Sequence, residues 1–196
     1  MMKQNVLVFF VLVLLIPSSL FGIEKGKRFG VELNSGVSIA TKKLSGITAY
    51  PGLNFEGIVH YNLVPQFGIY GGWGWNHFGV GKSFIGPDGS FEETGYLLGV
   101  QYKQPFGNSP VSGYLRLAGL FNHIETENSE GEIISDTKHG FGYQVATGVE
   151  ISLGEKWSLT PGLKFNHLKR DSKFDGVIKE LDHNYLSLRI GLVRYF

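Results

Sequence analysis

FGYQVATGVEIS, Phe141 to Ser152, carries two chemistries on alternate residues. Phe141, Tyr143, Val145, Thr147, Val149 and Ile151 form one set, and Gly142, Gln144, Ala146, Gly148, Glu150 and Ser152 form the other. A period of two is the pattern of a β-strand, whose successive side chains leave opposite faces of the sheet. The polar set is also the small set, and that combination decides the fold. A face turned to solvent would carry many long charged side chains, and nothing there would favour glycine. Small residues suit the inside of a narrow barrel, where side chains from every strand compete for one axis. The apolar set then meets lipid, and closure satisfies every backbone N–H and C=O without water.

The same division recurs along the chain. From Val111 onward, Leu115, Leu117, Gly119 and Phe121 oppose Ser112, Tyr114, Arg116, Ala118 and Asn122. Glycines recur on the polar face, among them Gly30, Gly36, Gly52, Gly68, Gly72, Gly74, Gly99, Gly162 and Gly191. Period-two patterning predicts strands over Arg28–Ala40, Tyr50–Leu63, Gln66–Val80, Gly95–Phe106, Val111–Ile124, Gly140–Leu153, Trp157–Leu168 and His183–Phe196. This is an all-β chain, read as an eight-stranded antiparallel up-and-down transmembrane β-barrel. Pro161 cannot donate to a ladder and a closed barrel has no edge to hide it, so a bulge or a locally broken ladder is expected beside Gly162.

Connections alternate in length. Val64-Pro65, Gly107–Pro110 and Gly154–Lys156 are tight, whereas Lys82–Thr94, Glu125–His139 and Lys169–Asp182 are long and polar, with Thr41–Ala49 intermediate. Asp88-Gly89 and Asp175-Gly176 suit positive φ within two of the long connections, which are read as hairpins whose strands project past the sheet. Short turns at one end and long loops at the other are expected of a barrel with its turns in the periplasm and its loops outside. Apolar-face aromatics are placed near the strand ends as two interfacial girdles: Phe29, Tyr61, Phe67 and Trp157 toward the turns, and Trp73, Trp75, Phe121, Phe141 and Phe165 toward the loops. Arg194 would face outward at interface level, where its guanidinium can reach head groups.

Composition agrees with that architecture. The sequence holds 28 Gly, 15 Phe, 9 Tyr and 3 Trp with 18% charged residues, and no cysteine, which excludes disulfides and thiolate metal sites. A formal net charge of +1 gives no footprint for nucleic acid. Residues 1–22 combine an early Lys3, an apolar run from Val6 to Ile16, a Pro-Ser-Ser break and Gly22, which reads as a cleaved signal peptide ahead of one barrel domain over residues 23–196.

With these features the chain resembles the small outer-membrane β-barrels that include the OmpA barrel domain, the OmpX-like proteins and porin-like barrel domains. The segments YNLVPQFGIYGGWGW (Tyr61–Trp75) and NYLSLRIGLVRYF (Asn184–Phe196) carry the resemblance. Terminal Phe196 with Leu188, Ile190 and Leu192 at alternate positions resembles the signal read by the barrel assembly machinery, although Arg194 stands where that family has an aromatic. The resemblance implies a monomer in the outer membrane of a Gram-negative-type bacterium, embedded in outer-membrane lipid, without cofactor or metal.

On the small-residue face lie Glu32, Glu56, Glu150, Lys103, Arg116, Lys164 and Arg189. Ionised groups in a narrow lumen must pair or neutralise. OmpA-type barrels have an interior salt-bridge network, so these residues are expected to form a structural plug, the alternative being a charged constriction that passes ions or small solutes. A lipid A-modifying enzyme is a further alternative. The deacylases of that class carry a His-x-Ser, and no histidine here has a serine two residues on. GVGKS at Gly79–Ser83 lacks the first glycine of a phosphate loop, because Asn76 stands there. In DSKFDGVIKELD, Asp171, Asp175, Gly176 and Asp182 match a calcium loop, but Lys173 occupies a ligand position. The expected role is non-enzymatic: envelope integrity, or surface interaction through extracellular loops with a ligand the sequence does not name.

Overall fold

Alternation of apolar and small residues produces strands that pair with their chain neighbours, and the pairing closes on itself. The computed structural model describes residues 28–43, 46–81, 88–174 and 177–196. The strands are β1 (Phe29–Ala40), β2 (Gly52–Val64), β3 (Phe67–Gly79), β4 (Ser90–Pro105), β5 (Val111–Glu127), β6 (Ile133–Asp136), β7 (Gly140–Ser152), β8 (Trp157–Leu159), β9 (Gly162–Phe174) and β10 (Val177–Tyr195). All pairings are antiparallel, and β8 and β9 together form one stave between β7 and β10. β1 pairs with β2 on one side and with β10 on the other, so the eight staves close with no free edge.

The seam between first and last strand runs from Gly30 opposite Tyr195 to Ala40 opposite Tyr185. Phe196 extends it by donating its N–H to Phe29 O at 2.8 Å. At this end lie the tight turns, two of which use left-handed glycines, Gly107 (φ 58) and Gly154 (φ 114).

Several boundaries differ from the sequence reading for one physical reason. β4 starts at Ser90 and not Gly95, β5 runs to Glu127, and β10 starts at Val177 and not His183, because the hairpins extend the ladder beyond the apolar band. There the outward residues become polar, so the contrast between faces that marks a strand in the sequence disappears. β6 was hidden likewise: it turns the polar segment after β5 back onto that strand, with Glu125 opposite Asp136. Asp88 adopts φ 53, while Asp175-Gly176, Ser83 and residues 1–27, including the expected signal peptide, lie outside the described residues.

The stave at Trp157–Phe174 is broken at Thr160-Pro161, and the break carries no bulge. Leu159 stands opposite Ile151 and Leu192, and Gly162 opposite Gly148 and Arg189, so register is the same on both sides of the proline. Thr160 N–H still donates to Gly191 O at 2.8 Å, and Pro161 O accepts from Val149 N–H at 3.1 Å. Only the bond that proline cannot donate is lost. Register shifts occur instead at Asn62/Val64, beside the Pro65-Gln66 turn, and at Thr126/Glu127, beside β6.

Candidate functional site

Strand parity sends the even residues of β1, β2 and β3 inward and the odd ones outward, and antiparallel pairing stacks the inward residues of all staves around one axis. Each of Glu32, Glu56, Lys103, Arg116, Glu150, Lys164 and Arg189 lies in this interior and is at most 9% exposed. They form three groups that climb from the turn end. Lowest, Lys103 Nζ lies 2.6 Å from Glu150 Oε2, while Tyr195 donates its hydroxyl to Glu150 Oε1 at 2.9 Å. Next, Arg116 grips Glu32 with both terminal nitrogens, at 2.8 and 3.2 Å, and donates Nε–H to Gln101 at 2.7 Å. Thr160 and His60 complete the carboxylate's shell, Thr160 donating at 2.7 Å. Above them, Glu56 takes Lys164 at 2.6 Å, Arg189 at 3.2 Å and Gln144 at 3.0 Å. Arg189 also stands 3.9 Å from Glu32, which links the second group to the third.

Fork geometry explains why arginine serves Glu32: two parallel N–H donors meet two carboxylate oxygens, and the flat guanidinium lies over aromatic faces. Arg116 sits 4.6 Å from the Tyr114 ring centre and 5.7 Å from that of Tyr70. Tyr114 in turn needs the glycines beside it, since a Cβ at Gly148 would come within 2.6 Å of its hydroxyl. Gly191 faces Glu32, and a Cβ there would lie 2.6 Å from Glu32 Oε1 and closer still to Asn34 Oδ1 and Thr160 Oγ1. Gly191→Ala is therefore expected to displace the Glu32 carboxylate and to cost about 1–3 kcal/mol by overpacking. Urea unfolding of the refolded protein in lipid vesicles checks this, with Gly119→Ala as the reference, because nothing lies within 4 Å of a Cβ at Gly119.

Over the charged groups the lumen combines apolar clusters with buried polar side chains, among them Asn76, Glu93, Asn122 and His183. Ile58, Tyr70, Phe78, Leu97, Ala118, Leu120, Leu168 and Tyr185 form one buried cluster, and Ile47, Val80, Phe91, Ile124 and Leu181 form a second at the mouth. Ile47 reaches the mouth because the connection before β2 folds across it, held by the Ala49–Val80 bridge and by Tyr50 N–H donating to Gly79 O at 2.8 Å. Some buried polar atoms have no protein partner, among them Tyr70 OH, His60 Nδ1, both nitrogens of His183, and the Asn34 amide.

His60, Gln101, Tyr114, Gln144, Thr160 and Tyr195 belong to the interior network and were not singled out in the sequence. Parity was the available signal: His60 shares the inward face with Glu56, and Tyr195 shares it with Arg189. Which of them meet depends on the stagger between strands, which no single strand contains.

On the outer face, Trp73, Tyr96, Phe121 and Phe141 stand directly opposite one another across β3, β4, β5 and β7, and so form one continuous row. Tyr96, missing from the expected set, joins it. Trp73 stands mid-way along β3 and Phe165 mid-way along its stave, contrary to the expected position near strand ends, because the strands run on past the apolar band. Phe55 faces Trp75 one row higher. At the turn end, Phe29 faces Tyr61, its ring 5.9 Å from that of Phe196, and Phe67 faces Tyr102. Arg194 lies over Trp157 at 5.6 Å and over Phe196 at 5.0 Å, so its charge is held on aromatic faces. Leu188, Ile190 and Leu192 are exposed on the same outer face.

Above the aromatic row the outward histidines pair with acids: His77 with Glu92 at 2.9 Å and His123 with Asp136 at 2.7 Å. Asp171 and Asp182 do not converge as the calcium-loop pattern requires, since Asp171 stands opposite Glu180 and Asp182 is engaged by Lys42 at 3.2 Å.

The sequence pattern of the outer membrane protein beta-barrel domain family matches residues 9–196. Among solved structures, neisserial surface protein A (NspA) superposes with a TM-score of 0.65 at 18% identity, over 86% of this chain and 97% of that one. Ail, the attachment invasion locus protein of Yersinia pestis, in complex with the heparin analogue sucrose octasulfate, gives 0.55 at 15% identity, over 87% and 99%. OprG of Pseudomonas aeruginosa gives 0.56 at 12% identity, over 87% and 97%. At these identities the likeness is one of fold. No curated protein sequence matches the chain.

Proposed function

We propose, for a chain that belongs to the outer membrane protein beta-barrel domain family, a non-enzymatic and non-conducting barrel that strengthens the envelope and meets its surroundings through its loop end. The observation that carries this reading is the filled lumen. Three groups of paired charges and two apolar clusters lie in series along the axis, with Arg116, Lys164, Phe78, Leu168 and Leu181 each at most 1% exposed. An ion crossing it would have to break buried salt bridges and part packed side chains of both apolar clusters. Residues 1–22 are the proposed signal peptide and Phe196 with Leu188, Ile190 and Leu192 the proposed assembly signal. The outward aromatics are the proposed girdles, and a monomer is the proposed state.

A narrow path for water or small ions is the second reading, favoured by the unpartnered interior atoms of Asn34, His60 and Tyr70, which could each bind water. Planar-bilayer recording of the purified protein separates the two. The plugged reading expects no stable conductance steps, and large, long-lived steps would overturn it. A catalytic reading has less support, because no histidine has a serine nucleophile two residues on. The Ail structure holds a polysulfated sugar, which makes an anionic extracellular ligand a reasonable class to try on the loop end here.

A further inference from the structure

The wall of the barrel is interrupted above the aromatic row on one side. β7 begins at Gly140, and its ladder with β9 ends at the Gly142–Leu168 pair. β9 nevertheless continues to Phe174, so its edge from Lys169 onward faces β6 with no ladder joining them among the described residues. Ser135 crosses the gap, its hydroxyl 2.6 Å from that of Ser172 and donating to Lys173 O at 3.2 Å. Around this crossing opens a cleft of about 600 Å³, whose charged lining is Lys138, Lys169, Arg170 and Lys173 against Asp136 and Asp171.

Cationic side chains outnumber carboxylates along this lining. Asp136 is already engaged by His123 at 2.7 Å, and Lys169 by Glu180 at 2.8 Å. Lys138 and Lys173 make no ion pair with another described residue. Arg170, only 5% exposed, has no carboxylate within ion-pair distance among the described residues, the buried Glu93 acting on it from further off. Its Nε donates to Asn122 O at 2.9 Å, Nη1 to Phe141 O and Lys169 O at 2.9 and 2.7 Å, and Nη2 to Gly140 O. Four carbonyls fix this guanidinium, and no carboxylate among the described residues touches it directly. A buried cation held by neutral acceptors, with free lysines at the opening, is suited to an anion with several oxygens.

The height of the cleft selects the class of anion. Lys169 stands four residues beyond Phe165 on the outward face of β9, roughly 13 Å along the strand. It therefore lies just outside the band marked by Phe141 and Phe165, at the level where lipid head groups meet the wall. A volume of about 600 Å³ admits a sugar bearing a phosphate. We propose that this cleft receives the phosphorylated head group of an outer-leaflet glycolipid. The proposal rests on the outer-membrane setting but not on the plugged lumen, and a conducting barrel would leave it intact.

The test uses the full mature chain in zwitterionic phospholipid nanodiscs doped with bis-phosphorylated lipid A, with lipid retention read by native mass spectrometry. Unboiled gel mobility reports folding of every variant. Retention of lipid A is expected, with about a tenfold or greater loss in the Lys138→Glu/Lys173→Glu protein and with no retention of dephosphorylated lipid A. Lys43→Glu, a charge reversal at an exposed position outside the cleft lining, is expected to retain the lipid as the unaltered chain does. Equal retention by the double variant, or equal retention of the dephosphorylated lipid, would overturn the proposal. Tight binding of a soluble sulfated oligosaccharide at the same lysines, without retention of lipid A, would also overturn it and assign the cleft to an extracellular glycan.

Discussion

Glu56→Ala should lower the unfolding free energy of the barrel by about 3–5 kcal/mol, the cost of leaving buried charge without its partner. The residue holds two cations at once, Lys164 at 2.6 Å and Arg189 at 3.2 Å, in a part of the lumen where both side chains are 0% exposed. Among the described residues, Arg189 would keep the 3.9 Å contact with Glu32 as its one carboxylate contact, and Lys164 would keep no carboxylate within ion-pair distance. Its effect should therefore exceed that of Glu150→Ala, since Lys103 and Glu150 sit at the turn end with side chains 11% and 10% exposed. Urea titration in lipid vesicles, followed by the fluorescence of Trp73, Trp75 and Trp157, measures both. Adding Lys164→Met to Glu56→Ala should return part of the loss, and the double-mutant cycle gives the coupling directly. A wet, conducting lumen would screen these charges, and the coupling would fall to about 1 kcal/mol or less. That result, with altered ion selectivity in the single variants, would replace the plug by a pore.

Deletion of Phe196 is the second large effect, and it should appear in assembly far more than in stability. In the folded barrel this residue contributes one backbone hydrogen bond to Phe29 at 2.8 Å and exposed ring contacts with Phe29 and Arg194. The rest of the seam, from Gly30 opposite Tyr195 to Ala40 opposite Tyr185, does not depend on it. Loss of one partly exposed bond costs about 1 kcal/mol. If Phe196 is read during insertion, cells should lose most of the protein from the outer membrane, while the small fraction recovered unfolds near the urea concentration of the full chain. Normal membrane levels of the truncated protein would end that assignment. A matched fall in stability and level would mean that the residue acts as a structural clasp.

Alternation alone was enough to write the barrel into the sequence. Phe141–Ser152 divides into a large apolar and a small polar face because each residue in a strand meets only one of two environments, and lipid and a crowded lumen make opposite demands on size and polarity. Inward placement of Glu32, Glu56, Glu150, Lys103, Arg116, Lys164 and Arg189 follows from parity within single strands, which is local information. Partner choice is not local. Glu32 takes Arg116 from β5 and Thr160 from the break between β8 and β9, and Glu56 takes Lys164 from β9 and Arg189 from β10. These encounters depend on strand tilt and stagger, which arise only when the sheet closes. The same holds for the unbroken register past Pro161 and for the outward row that Tyr96 completes. It holds also for the cleft at Arg170: only where β7 has ended and β9 has not do Lys138 and Lys173 line one opening, because a gap in a wall belongs to neither strand beside it.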